Sequence, residues 1–370
     1  MKAVFTTEDT KKIKGFAIIL MILHHCFLSP ERYEGQTVIF EPFSEELFNS
    51  VTLTMKICVA IFAFISAYGI TLSYKKSNAG SLLNIPAEKT GYSVYRRGVK
   101  LWTEFAVIFL LAQLYDVLVV RDGRFALVYG TDLKGILYFI IDGLGLAELF
   151  GTPTYLATFW YISLAWIIIL VMPLLIGMYT RCGGAVLFAV TVLIDVMFPV
   201  TQEHTFAHFP QYAPVLAAGI ICADKDLIGA MVQSSRLPKA IKFVLYLAVF
   251  AVLFGSRYLM RGTTLVPVID AIITVDICVL FVEFINKCPL IKSILALIGR
   301  YATDIFLLHN FIRIVWYYDF TYSFRYWWAI AGVLLVLSVA VAAVIDLLKK
   351  VCRYDKLVNR LIALYPGTQR

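Results

Sequence analysis

The amino-acid sequence predicts an all-α, polytopic integral membrane protein with about ten transmembrane helices and both termini in the cytoplasm. Composition points there first. The 370 residues are 60% hydrophobic and only 16% charged, whereas a soluble domain is nearer half apolar and a quarter charged. Second, the mean hydropathy is +0.80, and apolar runs of spanning length recur along the whole chain. Third, the basic residues gather in short segments between those runs, which is how topology is encoded in a membrane. That clustering accounts for the net charge of +8 without nucleic acid as a partner. Length alone would suggest two or three soluble domains; the hydropathy favours one transmembrane unit over residues 1–370.

The first run, 13–29, follows several lysines and has no small-residue cleavage site after it, so it reads as a membrane helix and not as a cleaved leader. The next runs are 49–74, 101–120, 155–178, 184–200, 212–224, 241–257, 264–285, 292–317 and 326–348, of which 212–224 is short. The stretch 134–152, "KGILYFIIDGLGLAELFGT", is glycine-broken and polar. It is expected at the interface or as a re-entrant segment, which requires protein or water over its backbone. Ten spans leave both ends on one side. Of the 33 lysines and arginines, 23 fall on that side and 7 on the other, with Lys56, Arg300 and Arg313 inside spans. Such a bias makes the termini cytoplasmic. The seven cysteines are scattered without a CxxC pair, which supports neither a disulfide framework nor a zinc site.

The first helix carries the most informative geometry. It opens on "KKIKG" and closes on His24 and His25. Eleven residues separate Lys14 from His25, about three turns plus roughly 20° and a rise of roughly 16 Å. The two side chains therefore share a face. His24 projects about 100° away, so only His25 lines up with the lysine. Ionisable groups within a membrane are costly and mark a pathway or site, although a lysine at a helix end can also snorkel. A haem between helices would need a second histidine; His309 lies in another span, and His204 and His208 in an outer loop.

These residues carry a resemblance. The run "KGFAIILMILHHC" resembles the first helix of the membrane acyltransferase-3 family, a basic residue followed after ten residues by a catalytic histidine; the family usually has Arg where this chain has Lys14. "VAIFAFISAYGI" resembles the family's second-helix signature, with Ala67 in place of the usual glycine after Ser66. "YRRGVKLW" resembles its Arg-x-x-Arg signature, with Arg97 and Lys100 at the matching positions. "TFWYISL" is similar to the tryptophan-bearing start of a later helix, through Trp160, and "GRYATDIFLLHNF" to the late pattern ending in histidine, here His309.

The resemblance implies transfer of an acyl group, usually acetyl, from acetyl-CoA or another cytoplasmic acyl-coenzyme A to a sugar hydroxyl at the outer face of a bacterial cytoplasmic membrane. Partners would be a surface polysaccharide, lipopolysaccharide or lipid-linked glycan, with membrane lipids around the spans and no metal. Coenzyme A is polyanionic, so Lys14, Arg97, Lys100 and Arg96 are its candidate ligands. His25 is the candidate general base, a task that suits neutral imidazole. Asp116 and Asp270 are the candidate acids to orient it, with Asp304 a third intramembrane acid; each could instead form a structural ion pair with Lys56, Arg300 or Arg313. Lys56 is a candidate for polarising the thioester carbonyl. Trp160 and His309 are further candidates, and Ser66 fits close helix packing better than nucleophilic attack. The outer loops 30–48 and 200–211 would face the acceptor. The same buried charges also fit a transporter or flippase of a glycan or lipid-linked sugar, or an assembly protein in which they are packing pairs.

Overall fold

The computed structural model describes residues 4–199, 208–233 and 237–366. Most of the loop 200–211, with His204, lies outside them. Among the described residues the chain is helical throughout, and a single bridge between Ile39 and Tyr326 is the one strand-like pairing.

Helix α1, Thr7–Phe27, begins at a reciprocal cap. The Asp9 backbone N–H donates to Thr6 Oγ1 at 3.3 Å, and the Thr6 backbone N–H donates to Asp9 Oδ2 at 2.9 Å. This satisfies donors that the first helical turn leaves unpaired. The expected second span is two helices, α2 (Glu45–Thr54) and α3 (Ile57–Ser77). Thr52 and Thr54 each donate back to a carbonyl four residues earlier, at 3.0 and 3.1 Å. Such back-bonding bends helices, and Lys56 therefore stands at a joint and not within a continuous helix.

Helix α4, Ala87–Tyr115, continues through a π turn, Asp116–Val120. It starts well before the expected boundary at 101, so Arg96, Arg97 and Lys100 belong to the helix itself and not to a preceding loop. Short helices α5 (Arg124–Tyr129), α6 (Leu133–Gly143) and α7 (Ala147–Phe150) follow. The glycine-broken backbone after α6 is covered by protein. Trp102, Trp166 and Ser163 donate to the carbonyls of Gly143, Leu144 and Gly145 at 3.3, 3.0 and 2.7 Å.

Helix α8, Trp160–Met197, is broken at Gly183, where φ is +83°, a conformation that glycine alone adopts cheaply. The break separates the two expected spans 155–178 and 184–200. Then come α9 (Phe209–Lys225), α10 (Leu227–Gln233), α11 (Lys239–Leu259) and α12 (Val266–Glu283). The span expected at 292–317 is α13 (Pro289–Arg300), α14 (Ala302–Asn310) and a π turn, Phe311–Trp316. Helices α15 (Tyr318–Tyr322), α16 (Trp327–Val351) and α17 (Tyr354–Ala363) complete the chain.

Among the described residues, five helical stretches are long and apolar enough to cross a membrane: Glu45–Ser77, Ala87–Val120, Ala157–Met197, Lys239–Leu259 and Trp327–Val351. The core lies between α1, α3, α8, α9 and α12, with a second apolar cluster between α4, the start of α8 and α14. Helices α1 and α13 meet backbone to backbone. A Cβ at Gly15 would stand 2.1 Å from the Leu295 carbonyl oxygen, and one at Gly299 would stand 1.8 Å from that of Lys11. Small residues permit this approach, and it sets the angle of the helix that carries Lys14 and His25.

Candidate active site

Lys14 and His25 face two different cavities. The larger, about 780 Å³, is lined by Lys14, Arg97, Lys100, Ser66 and Thr6, and no Asp or Glu lines it. Helix α4 supplies the two cations opposite Lys14. Arg96, on the same turn of α4, is not among the lining residues. The smaller cavity, about 180 Å³, is lined by His24, His25, Arg32, Lys56, Thr158 and Trp160, among others. Tyr161 lines both.

The His25 side chain is half-buried, and its buried Nδ1 has no hydrogen-bond partner among the described residues. The His309 ring lies beside it, centroids 5.0 Å apart. His309 is wholly buried, its Nδ1 donating to the carbonyls of Ile305 and Phe306 at 3.1 and 2.9 Å. A neutral imidazole that donates from one nitrogen accepts at the other, so His309 Nε2 carries a lone pair, and it too is unpartnered. His24 serves the frame: its Nδ1 donates to the Thr52 carbonyl at 2.9 Å, and Thr52 Oγ1 donates to the Phe27 carbonyl at 2.7 Å. His24 nevertheless lines the same cavity as His25, their rings 5.2 Å apart.

Lys56 Nζ stands 5.9 Å from the Trp160 ring centroid, and no ion pair to it is seen among the described residues. It also lines a third cavity, about 350 Å³, together with Arg257 and Asp270. His208 packs on Trp160 with centroids 4.4 Å apart. Burial, aided by the Lys56 charge, lowers the His208 pKa to about 4, so it is neutral near pH 7 and its 4.0 Å approach to Glu148 is no salt bridge there.

The two acids expected to orient His25 are engaged elsewhere, and neither lines its cavity. Asp116 accepts from the Tyr155 hydroxyl and from Trp316 Nε1 at 2.6 Å, closing the π turn at the end of α4. Asp270 receives a two-pronged pair from Arg257, at 2.5 and 3.2 Å, and Arg257 also donates to the Thr54 carbonyl. Asp304 pairs with Lys349 at 2.9 Å. The partners are Arg257 and Lys349, not the Lys56, Arg300 or Arg313 expected from the spans. Thr158, Tyr161 and Arg32 were not singled out from sequence. Thr158 is the most telling, since its buried hydroxyl oxygen in the His25 cavity has no partner. The signal was available in part: Thr158 and Tyr161 lie within the quoted stretch around Trp160. Among the described residues, no group of three or more His, Cys, Asp or Glu is arranged to hold a metal ion.

Apolar helices thus enclose a basic cavity and a small polar one, and the second is lined by a histidine whose Nδ1 is unpartnered among the described residues. The chain belongs to the acyltransferase-3 family, whose model, described as an acyltransferase domain, matches residues 13–347. No curated protein and no solved structure matches it. It is a multi-pass membrane acyltransferase.

Proposed function

We propose that this acyltransferase moves an acyl group, in the first place acetyl, from cytoplasmic acyl-coenzyme A to a hydroxyl of a glycan or glycolipid at the outer face of a bacterial cytoplasmic membrane. The observation that carries this reading is the pairing of cavities: an acid-free basic one with Lys14, Arg97 and Lys100, adjoining at Tyr161 a small one with His25. In this reading ten spans place both termini and the larger cavity on the cytoplasmic side. α1 and α9, α12 and the α13–α14 unit join the five longest apolar stretches, with α8 counted twice across Gly183.

The donor's phosphates rest on the three cations, and its slender arm passes Tyr161 with the thioester. His25 takes the proton from the acceptor hydroxyl as that oxygen attacks the thioester carbonyl. The C–S bond then breaks, and the departing thiolate takes the proton. Lys56 and the Thr158 hydroxyl are the groups available to the developing oxyanion. His309 positions His25, with its Nε2 lone pair available to an Nδ1–H of its neighbour. The test is release of free thiol from acetyl-coenzyme A by purified protein in nanodiscs. Thiol release that His25→Ala abolishes is the expected result. Passage of a labelled glycan across the membrane without thioester consumption would replace the reading with a flippase.

A further inference from the structure

A fourth cavity, about 450 Å³, lies on the far side of Arg32 from His25 and is lined by Glu31, Arg32, Glu34, Arg313 and Tyr318, among others. Arg32 lines this cavity and the His25 cavity alike, so its side chain is a wall common to both. Arg313 is the largest side chain with no solvent exposure. Its Nε donates to Asn310 Oδ1 at 2.9 Å and its Nη1 to the Tyr322 hydroxyl at 3.1 Å. Both partners are neutral, and Nη2 has none. Among the described residues no carboxylate lies within ion-pair distance of Arg313 or of the half-buried Arg32.

A buried charge without a counter-charge is costly, and folded proteins pair such charges or use them. Here the cost is compounded, because the two guanidinia act on each other: burial and the Arg313 charge lower the Arg32 pKa, opposed to a lesser degree by Tyr322 and the exposed Glu31. The contrast with the third cavity is direct. There Arg257 has Asp270 as its counter-ion, whereas neither Arg32 nor Arg313 has an ion-paired carboxylate among the described residues. Glu31 and Glu34, which also line the fourth cavity, are exposed at its rim, where water and salt screen their repulsion. The Glu31 carboxylate is held by the Ser29 hydroxyl, and the Glu34 carbonyl accepts from Tyr318.

We propose that Arg32 and Arg313 bind an anionic group on the acceptor, so that the substrate class is an acidic sugar, one bearing a carboxylate or a phosphate. The inference rests on the transferase reading above for the meaning of "acceptor". A planar oxyanion matches the guanidinium fork in two-pronged fashion, and it would supply the counter-charge that both arginines lack. With the anion seated there, a hydroxyl of the same sugar reaches past Arg32 toward His25.

The test is saturation-transfer NMR on the full-length protein in phosphatidylcholine nanodiscs, with glucuronic acid, glucose 6-phosphate and glucose as probes. Both anionic sugars should bind, with glucose at least about tenfold weaker, the worth of one charge-assisted contact. Arg32→Gln should remove that preference. Because a neutral residue at Arg313 endangers folding, its variant is Arg313→Lys, which keeps the charge, loses the fork and should weaken only the anionic probes. Glucose binding as well as the acidic sugars, or a preference unchanged in Arg32→Gln, would overturn the proposal. So would loss of sugar binding when phosphatidylglycerol is added to the discs, since the anion would then be a lipid headgroup. Thiol release from acetyl-coenzyme A in the same preparation separates the two readings. Turnover without anionic preference overturns only the acceptor class; anionic preference without turnover overturns only the transferase reading.

Discussion

The imidazoles of His25 and His309 lie side by side, centroids 5.0 Å apart and ring planes tilted by 39°, each with a buried nitrogen that no other group partners. Among the described residues no carboxylate completes the pair. His25→Ala should lower acyl transfer by roughly 10²–10⁴-fold, the usual worth of a general base, with normal membrane insertion. His309→Gln should lower the turnover number and leave the donor Michaelis constant unchanged. A change confined to the Michaelis constants would remove His309 from any positioning role.

His24 has a structural partner in the Thr52 carbonyl, which ties α1 to α2. His24→Ala should reduce thermal stability by roughly 1–3 kcal/mol, the cost of leaving a buried acceptor unsatisfied, and should retain a sizeable fraction of the activity per folded molecule. Equal loss of turnover in the His24 and His25 variants would show that both rings act in the chemistry.

The basic cavity makes a prediction about the donor. Arg97→Gln and Lys100→Gln should each raise the Michaelis constant for acyl-coenzyme A, and the wild-type constant should rise with salt as exposed charges are screened. Lys14→Arg should keep most activity because the charge persists, while Lys14→Met should lose most of it. Initial rates at matched protein abundance decide this. Full activity in Lys14→Met would reduce the lysine to a topology marker.

The Gly15–Gly299 crossing, which lines neither cavity, predicts a steric effect. An added methyl group at Gly15 meets backbone, which cannot swing aside, so Gly15→Ala should destabilise by about 1–3 kcal/mol and lower activity through α1. Gly332→Ala, where nothing stands within 4 Å, should be silent. Detergent melting curves for the two variants check the contrast.

Asp270 should prove structural. Asp270→Asn strands Arg257 in a buried site, a loss of about 3–5 kcal/mol, so the melting temperature should fall sharply. The double change Asp270→Leu with Arg257→Met should recover much of it. Recovered stability without recovered activity would give the pair a part in the reaction after all.

What was legible in the sequence followed from periodicity and from long-range order in the motifs. Lys14 and His25 share a helix whose rise sets their separation, and that needs no tertiary knowledge. Arg97 and Lys100 could be placed beside Lys14 because the quoted motifs fall in one order along the chain. The acids were different. Depth in the membrane made Asp116 and Asp270 plausible neighbours of His25, but depth says nothing about azimuth around the bundle; Tyr155, Trp316 and Arg257 claimed them. The joint at Lys56 was hidden as well, because threonine back-bonding leaves no trace in hydropathy. Arg313 carried a readable signal, a charge inside a span with no acid three or four residues away, and its meaning emerged only when no acid approached from another helix.

Tyr161 stands where the basic cavity and the His25 cavity adjoin, its ring set 5.1 Å from Phe306 and 6.2 Å from Phe62. A membrane that stores energy as an ion gradient cannot tolerate a continuous wet passage, yet in the proposed reaction the two reactants would meet from opposite sides. In that reading Tyr161 would serve as an aromatic plug, passing a narrow arm while keeping the two cavities apart, so that one phenolic ring would insulate the membrane as well as admit the donor.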